Sequence, residues 1–429
     1  MTEARAIAPL TRPLNAVVDL PGSKSYTNRA LLVGALADGT SEVQRALFSV
    51  DTRAMQRALT ALGIGVEVDE AAHSFSVVGG GGSFPSTEAT LNVENAGTAA
   101  RFLTAAVALG HGRYVVDGSP RMRQRPIQPL IDGLRQLGVD ARAELDNGCP
   151  PVVVDARGLP GGVARIRGDI SSQYFSALLL AAPYAAADVE IQVEGELVSA
   201  PYVQMTIGTM ADFGVAVEQP AKGRFVVRRG QRYVGRAYFV EPDASAASYF
   251  FAAAAVTGGR VRVPYLGAGS AQGDLGLLDV LERMGCLVTR GVDSIEVQGP
   301  SRLKAVEADF SNMGDVATTL AAIAPFADGP VTIRGVAQTH FEECDRPVAA
   351  ATELRRMGIR VEDDWDSLTI YPGSPLPSVV ETYEDHRMAM SFAITGLAAP
   401  GIAIADPDCV GKTFPEYFDV LEEATAIVQ

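Results

Sequence analysis

Cysteine, histidine and tryptophan are scarce in this chain: four, four and one among 429 residues. The cysteines, Cys149, Cys286, Cys344 and Cys409, are scattered with no Cys-x-x-Cys pair. That excludes a disulfide framework and a thiolate metal site. Four dispersed histidines are too few for a metal cluster. No apolar run reaches the roughly 18 to 20 residues of a membrane helix, and Met1 to Asn15 hold no apolar core of a secretory signal. Positive charge is also in deficit: 36 Lys and Arg stand against 51 Asp and Glu, a net charge of −15. Nucleic acid and anionic membranes are therefore poor general partners, and an anionic ligand must be met in a local positive pocket. The expectation is a cytoplasmic protein without structural metal. What is present is 47% hydrophobic and 20% charged, a globular composition. The length exceeds one ordinary core, so two domains are expected.

Self-similarity organises the chain. Five helix-like segments end in an apolar residue and glycine: Ala58–Gly63, Gly133–Gly138, Thr209–Gly214, Val280–Gly285 and Glu353–Gly358. The terminal glycines recur every 71–76 residues, and each suits the left-handed position that stops a helix. Strand-like alternations follow, as in Ile64–Val68 and Ile359–Val361. The segment 415–429 reads as a sixth, truncated copy. Between these lies a second element, a small-residue helix opened by polar residues, with copies starting at Ser23, Asn95, Ser171, Asp243, Gly314 and Asp385. Bodies such as Tyr174–Ala182, Tyr249–Val256 and Thr318–Ala324 are too apolar for a surface helix, so burial is expected. The repeats divide three and three about Tyr238–Asp243, and residues 1 to about 17 are free to pair with the far half. Six buried helix starts, each a positive dipole end, point to convergence on one place; a solenoid with six unrelated caps is the alternative.

The first start is the richest in donors. The strand-like Ala16–Leu20 runs into Pro21-Gly22, and Ser23-Lys24-Ser25-Tyr26-Thr27-Asn28-Arg29 forms the first turns of a helix. Free backbone N–H groups there attract anions. Lys24, Ser25 and Arg29 add side-chain donors, Ser25 and Arg29 on one face. Taken alone, the segment reads equally well as an ordinary capped surface helix.

Longer motifs decide between these readings. Leu20–Ser25 with Asn28-Arg29, Asn95-Ala96-Gly97-Thr98-Ala99-Ala100-Arg101, Arg121–Pro126, Ser171-Ser172-Gln173, Asp385-His386-Arg387-Met388 and Lys412-Thr413-Phe414-Pro415 follow one another along nearly the whole chain. In this order the sequence resembles the 5-enolpyruvylshikimate-3-phosphate synthases, which transfer the enolpyruvyl group of phosphoenolpyruvate to shikimate 3-phosphate. The resemblance implies an α/β fold, a two-domain inside-out α/β barrel of six βαβαββ-type repeats, three per domain. Residues 18–241 would form the acceptor-side domain, and 1–17 with 242–429 the phosphoenolpyruvate side. Substrates would lie between the domains, with closure on binding. It implies a monomer and no cofactor. Glyphosate would compete at the phosphoenolpyruvate site, where Gly97, Thr98, Arg101 and, in place of a common Pro, Phe102 pack.

The reaction requires acid and base groups and cations for a carboxylate and phosphates. By resemblance, Lys24, Arg125, Arg346, Arg387 and Lys412 hold phosphoenolpyruvate, with Gly97 giving close backbone approach and Gln173 bridging both ligands. Arginine suits this work because its fork meets carboxylate and phosphate bidentately. Any one of these arginines alone reads as a surface salt bridge; five matched cations do not. Ser25 and Arg29 would meet the shikimate carboxylate, and Ser171, Ser172, Ser199 and Tyr202 the 3-phosphate region. Without the resemblance those serines would read as helix caps. Asp315 would take the 5-hydroxyl proton and Glu343 relay protons at the enolpyruvyl carbon, with Lys24 assisting. His386 is expected to support neighbours rather than act as acid or base.

One stretch departs from the pattern. The family commonly shows Arg-x-Lys-Glu-x-Asp-Arg, and this chain has His340-Phe341-Glu342-Glu343-Cys344-Asp345-Arg346. Glu342 stands for the usual Lys, His340 for the usual Arg, and Gln338 aligns with an upstream Asn. That Lys and Asn face the acceptor in the family, so Glu342 inverts a charge there. Either a compensating cation or loop shift keeps shikimate 3-phosphate as acceptor, or the acceptor differs. The sister enzyme acting on UDP-N-acetylglucosamine carries a loop cysteine that Arg121–Arg125 lacks. A non-catalytic repeat protein would have no need of clustered cations beside paired carboxylates.

Overall fold

Helices made of small and apolar residues fill the interior, and sheets cover them. In the computed structural model, which describes residues 3–426, the chain divides into two units with separate apolar cores. One unit is residues 22–241; the other joins residues up to 21 to those from 242 onward.

In the first unit the helices are α1 (Lys24–Leu36), α2 (Val50–Ala61), α3 (Gly97–Ala106), α4 (Gln128–Gln136), α5 (Gln173–Ala181) and α6 (Ala200–Asp212). In the second they are α7 (Ala244–Thr257), α8 (Leu277–Arg283), α9 (Ala317–Ile323), α10 (Arg346–Arg356), α11 (His386–Ala398) and α12 (Tyr417–Thr425). The odd-numbered ones, except for a turn or less at some ends, are buried all round, as their composition requires. α3 packs on α1 and α5, and α11 on α7 and α9. α2, α4, α6, α8 and α10 each stop where expected: Gly63, Gly138, Gly214, Gly285 and Gly358 have φ of 88°, 87°, 92°, 100° and 78°. Only glycine takes that conformation without steric cost.

Each full repeat runs in the order strand, buried helix, strand, outer helix and hairpin. Glu88–Asn92 pairs in parallel with His111–Asp117, which pairs antiparallel with Val152–Arg157, and that with Asp140–Ala143. Alternating burial along Thr40–Gln44 and Glu88–Asn92 leaves one sheet face to solvent. Among the described residues the strands form separate sheets, five of four strands and one of three. Strands are exchanged between chain-distant segments. Asn15–Val17 lies parallel to Arg260–Pro264, and Ala237–Phe239 parallel to Thr40–Gln44. Arg5–Ala6 pairs with Ile402–Ile404 and completes the truncated sixth repeat, of which residues 427–429 lie outside the described residues.

The division of the chain differs from the expected boundary by four residues. Residues 18–21 belong with the second unit because the Val18 N–H donates to Arg262 O and Val18 and Leu20 are buried in that core. The strand itself is shorter than Ala16–Leu20, covering Asn15–Val17. Gly22 then begins the first unit at a close approach: a Cβ there would stand 1.9 Å from Arg45 O and 3.0 Å from a Val240 methyl. Gly22→Ala should therefore cost about 1–3 kcal/mol through forced backbone displacement. A thermal melt checks this; an unchanged Tm would show that the turn yields freely.

Candidate functional site

The three buried helices of the first unit begin without side-chain caps. Ser23, Ala96 and Ser172, at the N-cap positions of α1, α3 and α5, make no capping bond. The buried Ser23 hydroxyl has no hydrogen-bond partner. N–H groups and positive dipole ends are thus left for another acceptor. Ser171 is engaged, its hydroxyl accepting from Gln173 N–H at 3.3 Å. Gln173 keeps a buried Oε1 with no partner, an arrangement that calls for a donor on a ligand or water.

Two cations stand at these starts. Lys24 Nζ lies 3.5 Å from the buried carboxylate of Asp51, at the start of α2. Arg125 is 3% exposed and donates from Nη1 to Asn95 O (3.1 Å) and Oδ1 (3.4 Å). A Cβ on Gly97 would come within 2.8 Å of Arg125 Nη2, so this glycine lets the guanidinium lie against the start of α3. The adjacent Pro126 carbonyl accepts from Arg101 Nη2 and from Tyr174 OH, both at 2.7 Å, tying this loop to α3 and α5.

Arg29 is the unusual cation. It is 2% exposed, with Nε on Thr206 Oγ1 (2.8 Å), Nη1 on Ser25 O (2.9 Å) and Nη2 on Tyr202 O (2.9 Å). Its guanidinium carbon lies 5.2 Å from the Phe102 ring centroid, a cation–π contact. No carboxylate pairs with it among the described residues. Burial pushes its pKa down to about 10, still cationic at neutral pH. A buried cation held only by neutral acceptors is a place for an anion. Ser199 heads α6 in a left-handed conformation (φ 52°), three residues before Tyr202.

The second unit holds a denser array. Arg346, the first residue of α10, is 3% exposed and spreads its fork over three carboxylates. Nε donates to Asp385 Oδ2 (2.8 Å), Nη1 to Asp315 Oδ1 (2.9 Å) and Nη2 to Glu343 Oε2 (2.6 Å). Arg387, one residue into α11, donates from Nη2 to Asp315 Oδ2 (2.7 Å) and from Nη1 to Tyr249 OH (3.3 Å). Lys412 Nζ is 3.5 Å from Glu343 Oε1. Burial opposes the charge on Arg346, but Asp385, Glu343 and Asp315 outweigh it and hold the guanidinium well above its ordinary pKa. For Arg387 burial is likewise outweighed, here by Asp315 and Tyr249. Burial pushes the Tyr249 phenol up to about 12, so it remains a neutral hydroxyl. The Asp315 side chain is 28% exposed and that of Glu343 5%; Asp315 is the more open of the two.

Asp385 opens the Asp385–Met388 motif, and its contacts give it a part in the site. It caps α11 through Arg387 N–H (2.8 Å) while pairing with Arg346, so one carboxylate fixes two cation-bearing helices. Its Asp-before-helix position was the legible signal. Asp51 gave no comparable signal. His386 is fully buried with Nδ1 3.4 Å from Asp385 Oδ1. His340 takes no part in the cation array: its Nδ1 lies 2.7 Å from Asp345 Oδ1, its Nε2 2.8 Å from Trp365 O, and its ring stacks on Trp365 at 4.0 Å. Gln338 is turned back, Nε2 donating to Gly335 O at 3.0 Å. Glu342 is half-buried, and its charge is felt by Arg346. The described residues hold no cluster of His, Cys, Asp and Glu with metal-binding geometry, and no helix is long and apolar enough to cross a membrane.

Comparison with known proteins identifies the family of the chain. Residues 10–421 match the family model described as EPSP synthase (3-phosphoshikimate 1-carboxyvinyltransferase). The chain is 50% identical over 413 residues to the 3-phosphoshikimate 1-carboxyvinyltransferase of a Nostoc species, covering 96% of this chain and 97% of that one. It is 48% identical to the chloroplastic enzyme of Brassica napus, covering 96% and 84%. The solved EPSP synthase of Acinetobacter baumannii superposes with a TM-score of 0.84 at 25% identity, over 99% of this chain and 98% of that one. The chain belongs to the EPSP synthase family.

Proposed function

We infer that this protein transfers the enolpyruvyl group of phosphoenolpyruvate to the 5-hydroxyl of shikimate 3-phosphate and releases phosphate, a step of aromatic amino acid biosynthesis. The observation that carries this is the Arg346–Arg387–Lys412 array wrapped around Asp315 and Glu343. Three cations and two carboxylates within hydrogen-bond reach can fix an anion and move protons beside it. Family membership names the anion.

In this reading Asp315 takes the 5-hydroxyl proton as that oxygen attacks C2 of phosphoenolpyruvate. Glu343, with Lys24 assisting, delivers a proton to C3 and later removes one as phosphate leaves the tetrahedral adduct. Arg346, Arg387 and Lys412 hold phosphoenolpyruvate, together with Lys24, Gly97, Arg125 and Gln173. The buried Arg29, with Ser25, receives the shikimate carboxylate; Ser171, Ser172, Ser199 and Tyr202 receive the phosphate. No cofactor enters these steps. The same reading takes the protein to be a cytoplasmic monomer whose first unit serves the acceptor and whose second serves phosphoenolpyruvate. Calorimetry tests the assignment: phosphoenolpyruvate injected into protein with shikimate 3-phosphate should give a sustained heat of turnover. Absence of heat at any acceptor concentration would reject it.

Glu342 bears on the acceptor. The uncapped helix starts and the unpaired Arg29 favour an anionic acceptor despite this carboxylate, so we keep shikimate 3-phosphate over a different acceptor. Two like charges at about 4 Å repel by ~4 kcal/mol at a surface-like dielectric. If Glu342 faces the acceptor, Glu342→Lys should lower its KM by about tenfold, ~1.4 kcal/mol, with kcat little changed. Initial rates at saturating phosphoenolpyruvate check this; an unchanged KM would place Glu342 away from the acceptor.

A further inference from the structure

The two residues before Asp385 are strained. Tyr383 and Glu384 have φ of 55° and 58°, left-handed conformations that residues with a side chain rarely adopt. Two in succession persist only where neighbours hold them. This turn leads directly into Asp385, the cap of α11 and partner of Arg346, and into Arg387. The backbone that carries Arg387, one of the three cations of the array, thus depends on neighbours to hold it.

The restraint is Glu353. Its side chain is fully buried on α10, two turns beyond Arg346. Oε2 accepts from Glu381 N–H (3.1 Å) and Oε1 from Tyr383 OH (2.7 Å), with Arg356 Nη1 2.9 Å from both oxygens. The Arg356 Nη2 donates to Val379 O at 3.1 Å, anchoring the incoming strand Ser378–Val380. One helix therefore grips the turn at both ends: Arg346 holds Asp385 after it, and Glu353 holds Glu381 and Tyr383 in and before it. Nothing in the reaction assigned above uses Glu353.

We propose that Glu353 is a positioning residue for enolpyruvyl transfer: its buried carboxylate holds the left-handed turn Tyr383–Glu384 and so sets where Asp385 and Arg387 stand. The inference rests on the function proposed above, because Arg387 is taken to bind phosphoenolpyruvate. Gln in place of Glu353 keeps the shape but offers one acceptor oxygen where two are used and loses the charge that Arg356 pairs with. The turn should relax, and Arg387 with it.

The test is steady-state kinetics on the full chain for Glu353→Gln, Tyr383→Phe and the double variant Glu353→Gln/Glu384→Gly, with hydrogen–deuterium exchange at residues 381–387. Expected are a rise of about tenfold or more in KM for phosphoenolpyruvate with Glu353→Gln and a kcat within about threefold of the parent. Exchange should quicken in that turn, and Tyr383→Phe should show a threefold to tenfold rise in KM. Glycine at 384 adopts the left-handed conformation without cost, so the double variant should recover part of the lost affinity. A purely structural role would lower Tm and leave KM and local exchange of the folded enzyme unmoved, and that result would overturn the inference. If Glu353→Gln does not fold, Tyr383→Phe decides: a KM within twofold of the parent overturns it. A parent enzyme that releases no phosphate from phosphoenolpyruvate and shikimate 3-phosphate would instead sink the functional reading, so the two failures are distinguishable.

Discussion

Replacing Arg346 by Gln should lower kcat/KM for phosphoenolpyruvate by at least about a thousandfold, ~4 kcal/mol of transition-state stabilisation. The Arg346 fork meets three carboxylates at once. Two effects add. The ligand loses a fork suited to bidentate capture of carboxylate or phosphate. Asp385 and Glu343, both buried, lose the cation that offsets their desolvation, and breaking such a pair from one side costs about 3–5 kcal/mol. The activity loss should outlast the stability loss: protein still folded at low temperature by circular dichroism should remain inactive. Arg346→Lys should rescue little, because a single ammonium cannot reach three acceptors along a planar fork. Near-parental kcat/KM in folded Arg346→Gln would contradict the assignment.

Asp315→Asn should act differently, with kcat falling by about a hundredfold to ten-thousandfold, the range for removing a general base. The amide fills the same space and still accepts a hydrogen bond. It no longer neutralises the guanidinium groups of Arg346 and Arg387, which Asp315 bridges at 2.9 and 2.7 Å. Those cations then turn more of their charge toward an incoming anion, so KM for phosphoenolpyruvate should stay level or fall. A drop in kcat without a rise in KM separates proton transfer from binding. Unchanged kcat would remove Asp315 from the proton pathway. A rise in KM with kcat unchanged would make it a ligand-positioning group.

Much of the fold was legible because it rests on local rules. Gly63, Gly138, Gly214, Gly285 and Gly358 stop helices where the left-handed conformation is needed, and only glycine takes it freely. Helices α1, α7 and α11 begin one residue after Ser23, Asp243 and Asp385, and α5 two residues after Ser171. Helix α3 begins at Gly97, two residues after Asn95, and α9 at Ala317 after a short 3-10 turn over Gly314–Val316. What was not legible depends on distant partners. Nothing local in Val18–Leu20 shows that these residues pack with a strand at Arg260–Pro264. The left-handed backbone at Tyr383 and Glu384 leaves no trace in residue type, because it is imposed by Glu353, about thirty positions earlier. The cationic members of the site were named from motifs. Its acidic partners Asp51 and Asp385 were not: Asp385 has a place before a helix as its signal, whereas among 51 acidic residues only burial and pairing distinguish Asp51. Ser172 shows the converse: its residue type fits a cap, yet it makes no capping bond at the start of α5.

The measurement that bears most directly on the account is turnover with the assigned pair of substrates. Purified protein with phosphoenolpyruvate and shikimate 3-phosphate should release phosphate in equal amount to a product carrying the enolpyruvyl group on the 5-oxygen, followed by phosphorus NMR. Phosphoenolpyruvate left intact at every concentration of shikimate 3-phosphate, by protein shown to be folded, would contradict it.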